Sequence, residues 1–156
     1  MILHILRPVA EDFSELTDLC FAAKRHWGYP DYLVDMWKDE LTITPRFIRN
    51  NDIVKVQTES GKIVAFALIK EEGYDGIFVI RHFWILPEFM DHNVGKILLS
   101  HLEKAVKEKS TIKVVTDPNM KWFFQQNGYH KVGETKSHPD GLKLPILKKI
   151  VRRSET

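Results

Sequence analysis

The sequence predicts a mixed α/β fold, an α+β arrangement around one mixed sheet, in a single domain spanning residues 1–156. Three observations carry that prediction. The chain has 156 residues, enough for one domain with a real hydrophobic core. Its apolar residues switch repeatedly between helical spacing and a period of two. The connections are short, with no repeat, low-complexity tract or linker between them. The order that results is β-α-α-β-β-β-α-β-α-β-β.

Taken in turn, residues 2–7 (ILHILR) read as a strand, and residues 10–26 are amphipathic at helical spacing. HWGYP (26–30) breaks that pattern at Gly28 and Pro30. A second helix over 31–41 lines up Leu33, Met36, Trp37 and Leu41, and Pro45–Arg49 adds a helical turn. IVKVQT (53–58) and KIVAFALIK (62–70) flank Glu59-Ser60-Gly61 and read as a hairpin. Tyr74-Asp75-Gly76 is the next turn, and IFVIRHFWIL (77–86) is apolar enough for a central strand. The helix over 93–108 turns Val94, Ile97, Leu98, Leu102 and Ala105 inward. TIKVVT (111–116) is a strand. Asp117 and Pro118 suit the cap and first position of a helix that ends at Gly128. Residues 129–135 and 143–151 close the sheet, with Pro145 arguing for an edge strand or a bulge in the second.

Composition narrows the function. Hydrophobic residues are 44% and charged residues 28% of the chain, ordinary for a globular protein. A formal charge of +2 is too small to argue for nucleic-acid binding. No apolar run approaches the roughly 20 residues a membrane span needs, and MILHILRPVAED lacks a signal peptide's basic start and cleavage site. The one cysteine, Cys20, lies in an apolar helical stripe and reads as core. With no intrachain disulfide, a cytoplasmic setting is expected. No metal site is expected. The run Lys148, Lys149, Arg152, Arg153 reads as a solvated edge and tail.

The stretch FWILPEFMDHNVGKILLSHLEKA (83–105) combines a strand, a Pro-containing turn, a loop with one glycine and a helix. DPNMKWFFQQNGYHKVGE (117–134) combines a late helix, a Gly-aromatic step and a strand. HWGYP followed by LTITP, and GLKLPIL near the end, are weaker markers. In this order the chain resembles the GNAT superfamily of acyl-CoA-dependent N-acyltransferases, and the resemblance covers nearly its whole length. It implies acetyl-CoA as co-substrate and, for residues 90–96, a pyrophosphate loop. Two positions depart from the family pattern: Met90 stands where a polar residue is usual, and Asn93 where the first glycine is usual. Phosphate binding at such a loop uses backbone N–H groups at a helix N-terminus. After glycine, asparagine is among the residues best able to take the positive φ required. Gly95 permits close approach. Lys96 opposes the helix dipole unless an anion lies there. The resemblance therefore assigns Asp91, His92, Asn93, Val94, Gly95 and Lys96 to the cofactor. The plain alternative is an ordinary strand-to-helix turn with a solvated Lys96.

The resemblance also places Phe83, Trp84 and Ile85 beside the pantetheine arm, with a backbone N–H near Ile85 polarising the thioester carbonyl. These three also suit a sheet core. An amine acceptor must lose a proton, its ordinary pKa being near 10.4. His82 is the first candidate base, and packing or hydrogen bonding is its structural alternative. His26 and Glu40 are weaker candidates, and a water chain needs no single base. Where many relatives carry a tyrosine that protonates the leaving thiolate, this chain has Phe124. Tyr129 reads as a core aromatic. Asn119 is expected either to cap its helix or to reach the pantetheine amides. Trp27 and Tyr29, flanking Gly28, are the candidate acceptor-binding residues.

Three readings follow. One is acetyl transfer from acetyl-CoA to a primary amine of a small molecule or peptide, by direct attack in a ternary complex. The second is a non-catalytic acyl-CoA-binding module acting through a protein partner. The third is an interaction domain with no CoA site. Many relatives are homodimers, and no residue pattern here marks an interface. No nucleic-acid or membrane partner is expected.

Overall fold

A computed structural model of the chain describes residues 1–73, 76–137 and 141–152. Seven strands are described: β1 (Leu3–Leu6), β2 (Val54–Thr58), β3 (Ile63–Glu71), β4 (Ile77–Ile85), β5 (Thr111–Val115), β6 (His130–Lys136) and β7 (Lys143–Ile150). Their hydrogen-bonded order is β1-β2-β3-β4-β5-β7-β6, a mixed sheet as the sequence predicts. The chain forms two compact units. One holds Met1–Leu68 and His82–Leu98, the other Ile69–Arg81 and the chain from Leu99 onward.

In the first unit β1 runs antiparallel to β2, pairing Leu3 with Thr58. The expected hairpin joins β2 to β3, and its register shifts between Val56 and Gln57. Ile63–Leu68 of β3 are buried on both faces, as a central strand requires. The larger of them, Ile63, Val64, Phe66 and Leu68, each contribute roughly 1.5–3 kcal/mol by leaving water. Helix α1 (Phe13–His26) buries Leu16, Leu19, Cys20 and Ala23. Burial raises the Cys20 thiol pKa well above its ordinary value, so the thiol stays protonated. The single helix expected over 31–41 is instead α2 (Asp31–Met36) and α3 (Lys38–Leu41). The break falls at Trp37, which leaves helical geometry at φ −93°, ψ 6° and is 3% exposed. Helix α4 (Pro45–Asn50) starts at Thr44, whose hydroxyl accepts the Phe47 N–H at 3.1 Å. Thr17 of α1 both donates to the Ile43 carbonyl and accepts the Ile43 N–H, at 3.1 and 2.9 Å. That pair ties the segment leading into α4 back to α1. Lys55, buried on β2, is paired with Asp12 at 2.9 Å.

Helix α5 (Val94–Lys104) ends four residues before the expected 108. Lys109 takes φ 71° and gives its N–H to the Val151 carbonyl at 2.8 Å, which helix geometry excludes. In the second unit β4 pairs with β5 in parallel from Ile77↔Thr111 to Ile80↔Val114. Strand β7 pairs antiparallel with β5 on one side and β6 on the other. The edge position expected for the Pro145 strand is therefore corrected: β6 is the edge, and the register shift lies in β6 between Lys131 and Gly133. Proline is tolerated because its carbonyl takes the Thr116 N–H at 3.1 Å, past the last β5–β7 pair at Val115↔Ile146. Its missing donor thus faces a point where β5 has already ended.

A short 3-10 turn (Pro118–Met120), capped by Asp117, precedes α6 (Lys121–Gln126). Gly128 closes α6 at φ 92°, where a Cβ would also meet Lys149 Cε at 3.3 Å. Lys149 corrects the expected solvated run. It is half-buried, and its ammonium meets both Glu103 oxygens at 3.1 Å and the Asn127 carbonyl at 2.8 Å. Lys148 and Arg152 are exposed. Arg153, Tyr74 and Asp75 lie outside the described residues. No helix among the described residues is long and apolar enough to cross a membrane.

Candidate active site

The first unit carries the strand-loop-helix junction. Leu86 gives its N–H to the Val64 carbonyl of β3 at 2.8 Å. By strand alternation the Ile85 N–H points to the opposite edge of β4. Pairing with β5 stops at Ile80↔Val114, so on that edge the end of β4 runs on beyond the ladder. Ile85 is buried, and Phe83 and Trp84 are half-buried.

The chain then makes a 3-10 turn at Pro87–Phe89, with Met90 N–H on Pro87 O at 3.3 Å and His92 N–H on Phe89 O at 3.2 Å. Asn93 stands in the left-handed region at φ 63°, the conformation its replacement of glycine predicts. The Ile97 N–H closes onto the Asn93 carbonyl at 3.1 Å. The N–H groups of Val94, Gly95 and Lys96 precede that bond and have no carbonyl partner within the helix. Val94 and Gly95 are buried and anchor the helix start, whereas Asp91, His92, Asn93 and Lys96 are exposed. The His92 ring lies 5.5 Å from that of Phe89, and the Lys62 ammonium lies 5.7 Å from the Phe89 ring. The loop thus offers a row of oriented N–H groups flanked by cationic or titratable side chains, a suitable cradle for an anion.

His82 lies beside this strand segment among aromatic rings. Phe47 of α4 meets it edge-on at 5.4 Å, and Phe66 of β3 stacks at 6.1 Å. Two residues on along the same face, the Trp84 indole N–H donates to His82 Nδ1 at 2.9 Å. Burial lowers the imidazole pKa from its ordinary 6.5 to about 4. His82 is accordingly neutral near pH 7, and its Nδ1 accepts the indole N–H. The other two candidate bases, His26 and Glu40, are exposed.

The aromatic loop turns at Gly28, φ 83°. Trp27 packs edge-on with His26 at 4.8 Å, and Tyr29 with Trp37 at 5.0 Å. Lys24 of α1 places its ammonium 4.5 Å from the Trp37 centroid and 5.3 Å from that of Tyr29. The aromatic pair already holds a cation of its own.

In the second unit, Asp117 accepts both the backbone and the side-chain N–H of Asn119, at 2.9 and 2.8 Å. Phe124 is 1% exposed and packs edge-on against Phe123 and Tyr129. The Tyr129 hydroxyl donates to Glu103 at 2.8 Å. Burial, and then the Glu103 charge, raise its pKa far above the ordinary value. Tyr129 therefore cannot stand in for the acid that position 124 lacks. Periodicity does not single out Lys24, Phe47, Lys62 or Phe66, because no short motif links them to the rings they meet.

A family model described as an acetyltransferase (GNAT) domain matches residues 31–146. The chain belongs to the GNAT acetyltransferase family. The match runs from α2 into β7 and takes in the whole β4-loop-α5 junction. No curated protein matches this GNAT chain by sequence. Solved structures share its fold at low identity. The PaiA N-acetyltransferase from Thermoplasma acidophilum, in complex with coenzyme A, aligns at TM-score 0.75 and 15% identity over 96% of this chain and 99% of its own. The ribosomal-protein-S18-alanine N-acetyltransferase from Escherichia coli aligns at 0.66 and 13%, over 99% and 97%. The N-acetylglutamate synthase from Neisseria gonorrhoeae, complexed with coenzyme A and N-acetyl-glutamate, aligns at 0.68 and 13%, over 98% of this chain and 36% of its own.

Proposed function

We propose that this GNAT domain transfers an acetyl group from acetyl-CoA to a primary amine, by direct attack in a ternary complex. The observation that carries the reading is the left-handed Asn93, which turns the chain into α5 with the N–H groups of Val94, Gly95 and Lys96 ahead of the first helical hydrogen bond. Those groups, with Lys96 and His92, suit the pyrophosphate of a coenzyme A. Asp91 is exposed in the turn before them. Acetyl-CoA, when bound, supplies a thioester carbonyl open to attack by an amine. The Ile85 N–H, on the edge of β4 past its last β5 pair, is the donor suited to the charge that develops on the carbonyl oxygen. The backbone of Phe83 and Trp84 lines the same segment; in the second unit, Asn119 and Phe124 are the positions that the family resemblance assigns to the cofactor.

Trp27 and Tyr29 are the proposed acceptor-side residues. The proton of the attacking amine goes to water or to His82, and His82 can accept it only once Nδ1 is released from Trp84. The thiolate departs without a tyrosine acid, which a thiol pKa near 8.5 permits.

Phe124 and the engaged Tyr129 hydroxyl favour a second reading, an acyl-CoA-binding module without turnover. Calorimetric titration with acetyl-CoA followed by a thiol-release assay over a panel of amines tests both. Absence of binding at millimolar acetyl-CoA refutes both readings. Binding without thiol release for any amine supports the second against the first.

A further inference from the structure

The His82 environment is assembled from three elements, α4, β3 and β4, which contribute the rings of Phe47, Phe66 and Trp84. A half-buried imidazole with one nitrogen accepting a hydrogen bond is fixed in a single tautomer. The donor is the Trp84 indole, a group that can only donate. We propose that Trp84 is a positioning residue that locks His82 as the Nε2–H tautomer and withholds its Nδ1 lone pair from protonation. His82 then presents a hydrogen-bond donor, and its ability to take a proton depends on whether the indole is in place. This inference rests on the acetyl-transfer reading only for its kinetic consequence.

The charges near His82 do not compete with this arrangement. Lys55, the cross-strand partner of Phe66, is paired with Asp12 at 2.9 Å. On α4, Arg46 and Arg49 are exposed, as is Arg81 on β4. The effects that remain are burial among the rings and the indole bond, and both favour the neutral imidazole. The bond is therefore the one local lever that a single substitution removes while the rings stay aromatic. Trp84→Phe does that.

The test is long-range proton-nitrogen NMR of the full chain labelled with nitrogen-15, with the His82 signals assigned by their loss in His82→Gln. The expected spectrum at pH 7 shows a pure Nε2–H tautomer. In Trp84→Phe the tautomers mix and the titration midpoint rises by a unit or more. Phe47→Leu, which removes a ring but not the donor, keeps the single tautomer. A Nδ1–H tautomer in the wild type overturns the proposal, because the indole cannot then donate to Nδ1. An unchanged midpoint and tautomer in a folded Trp84→Phe overturns it as well. Should that variant fail to fold, the wild-type tautomer decides alone. Where the chain turns over, the acid limb of kcat/KM in Trp84→Phe moves with the NMR midpoint if His82 takes the proton. An inactive chain with the expected spectra refutes the transfer reading and leaves the lock intact.

Discussion

Asn93 offers the sharpest test of the phosphate cradle. Its φ of 63° places it in the left-handed region immediately before α5. An ordinary L-residue there costs about 1–2 kcal/mol, which asparagine partly avoids and glycine avoids entirely. Valine is branched at Cβ and bears the full cost or more. If the turn presents the N–H groups of Val94, Gly95 and Lys96 to a pyrophosphate, Asn93→Val must either hold that conformation under strain or abandon it. The strain converts to a loss of about 5- to 30-fold in coenzyme A affinity, at roughly 1.4 kcal/mol per factor of ten. Asn93→Gly keeps the angle and holds affinity within about twofold, since its cost falls mostly on the unfolded chain. The assay is calorimetric titration of coenzyme A against the three proteins at one salt concentration, paired with thermal melts. A Val variant that binds as tightly as the wild type would refute the reasoning, because the left-handed turn would then not be what aims the N–H groups.

Lys96 should separate stability from binding: Lys96→Ala leaves the free protein as stable or more stable by a few tenths of a kcal/mol, by removing a cation from a helix N-terminus, yet weakens coenzyme A in the same titration. Glu103→Ala should cost about 2–4 kcal/mol in urea unfolding, because it strips partners from the half-buried Lys149 and from Tyr129 at once. Tyr129→Phe, which leaves the Glu103–Lys149 pair intact, should cost less, and a reversed order would show that the charge pair contributes little. His82 is lowered to about 4 from 6.5, so the unfolded chain binds the extra proton between those values. Its contribution is complete above pH 6.5 and is lost as pH falls towards 4, by up to about 3 kcal/mol. Unfolding measured at pH 7 and 4.5 should therefore show a smaller acid loss in His82→Phe than in the wild type.

What the sequence made legible is what local chemistry decides. The hairpin around Glu59–Gly61, the βαβ passage from β4 to β5 and the left-handed Asn93 all follow from period, turn residues and the cost of a Cβ. Expectations failed where a partner distant in sequence decided the outcome. Pro145 reads as an edge signal by itself, yet β7 lies between two strands because β5 ends where the missing N–H would point. Lys149 belongs to a basic run in one dimension, but period two sends it inward to a carboxylate 46 residues away. The same blindness affects the chemistry. Residue type offers His82 as a base, and in the fold its Nδ1 is already committed to an indole donor; Tyr129, read as a core aromatic, is buried there with its hydroxyl on Glu103. Residue type states what a group can do. Whether its lone pair or proton is available depends on contacts that only the fold brings together. The left-handed turn into α5, built from backbone, follows from local residue types; the availability of the His82 and Tyr129 side chains, set by partners elsewhere in the fold, does not.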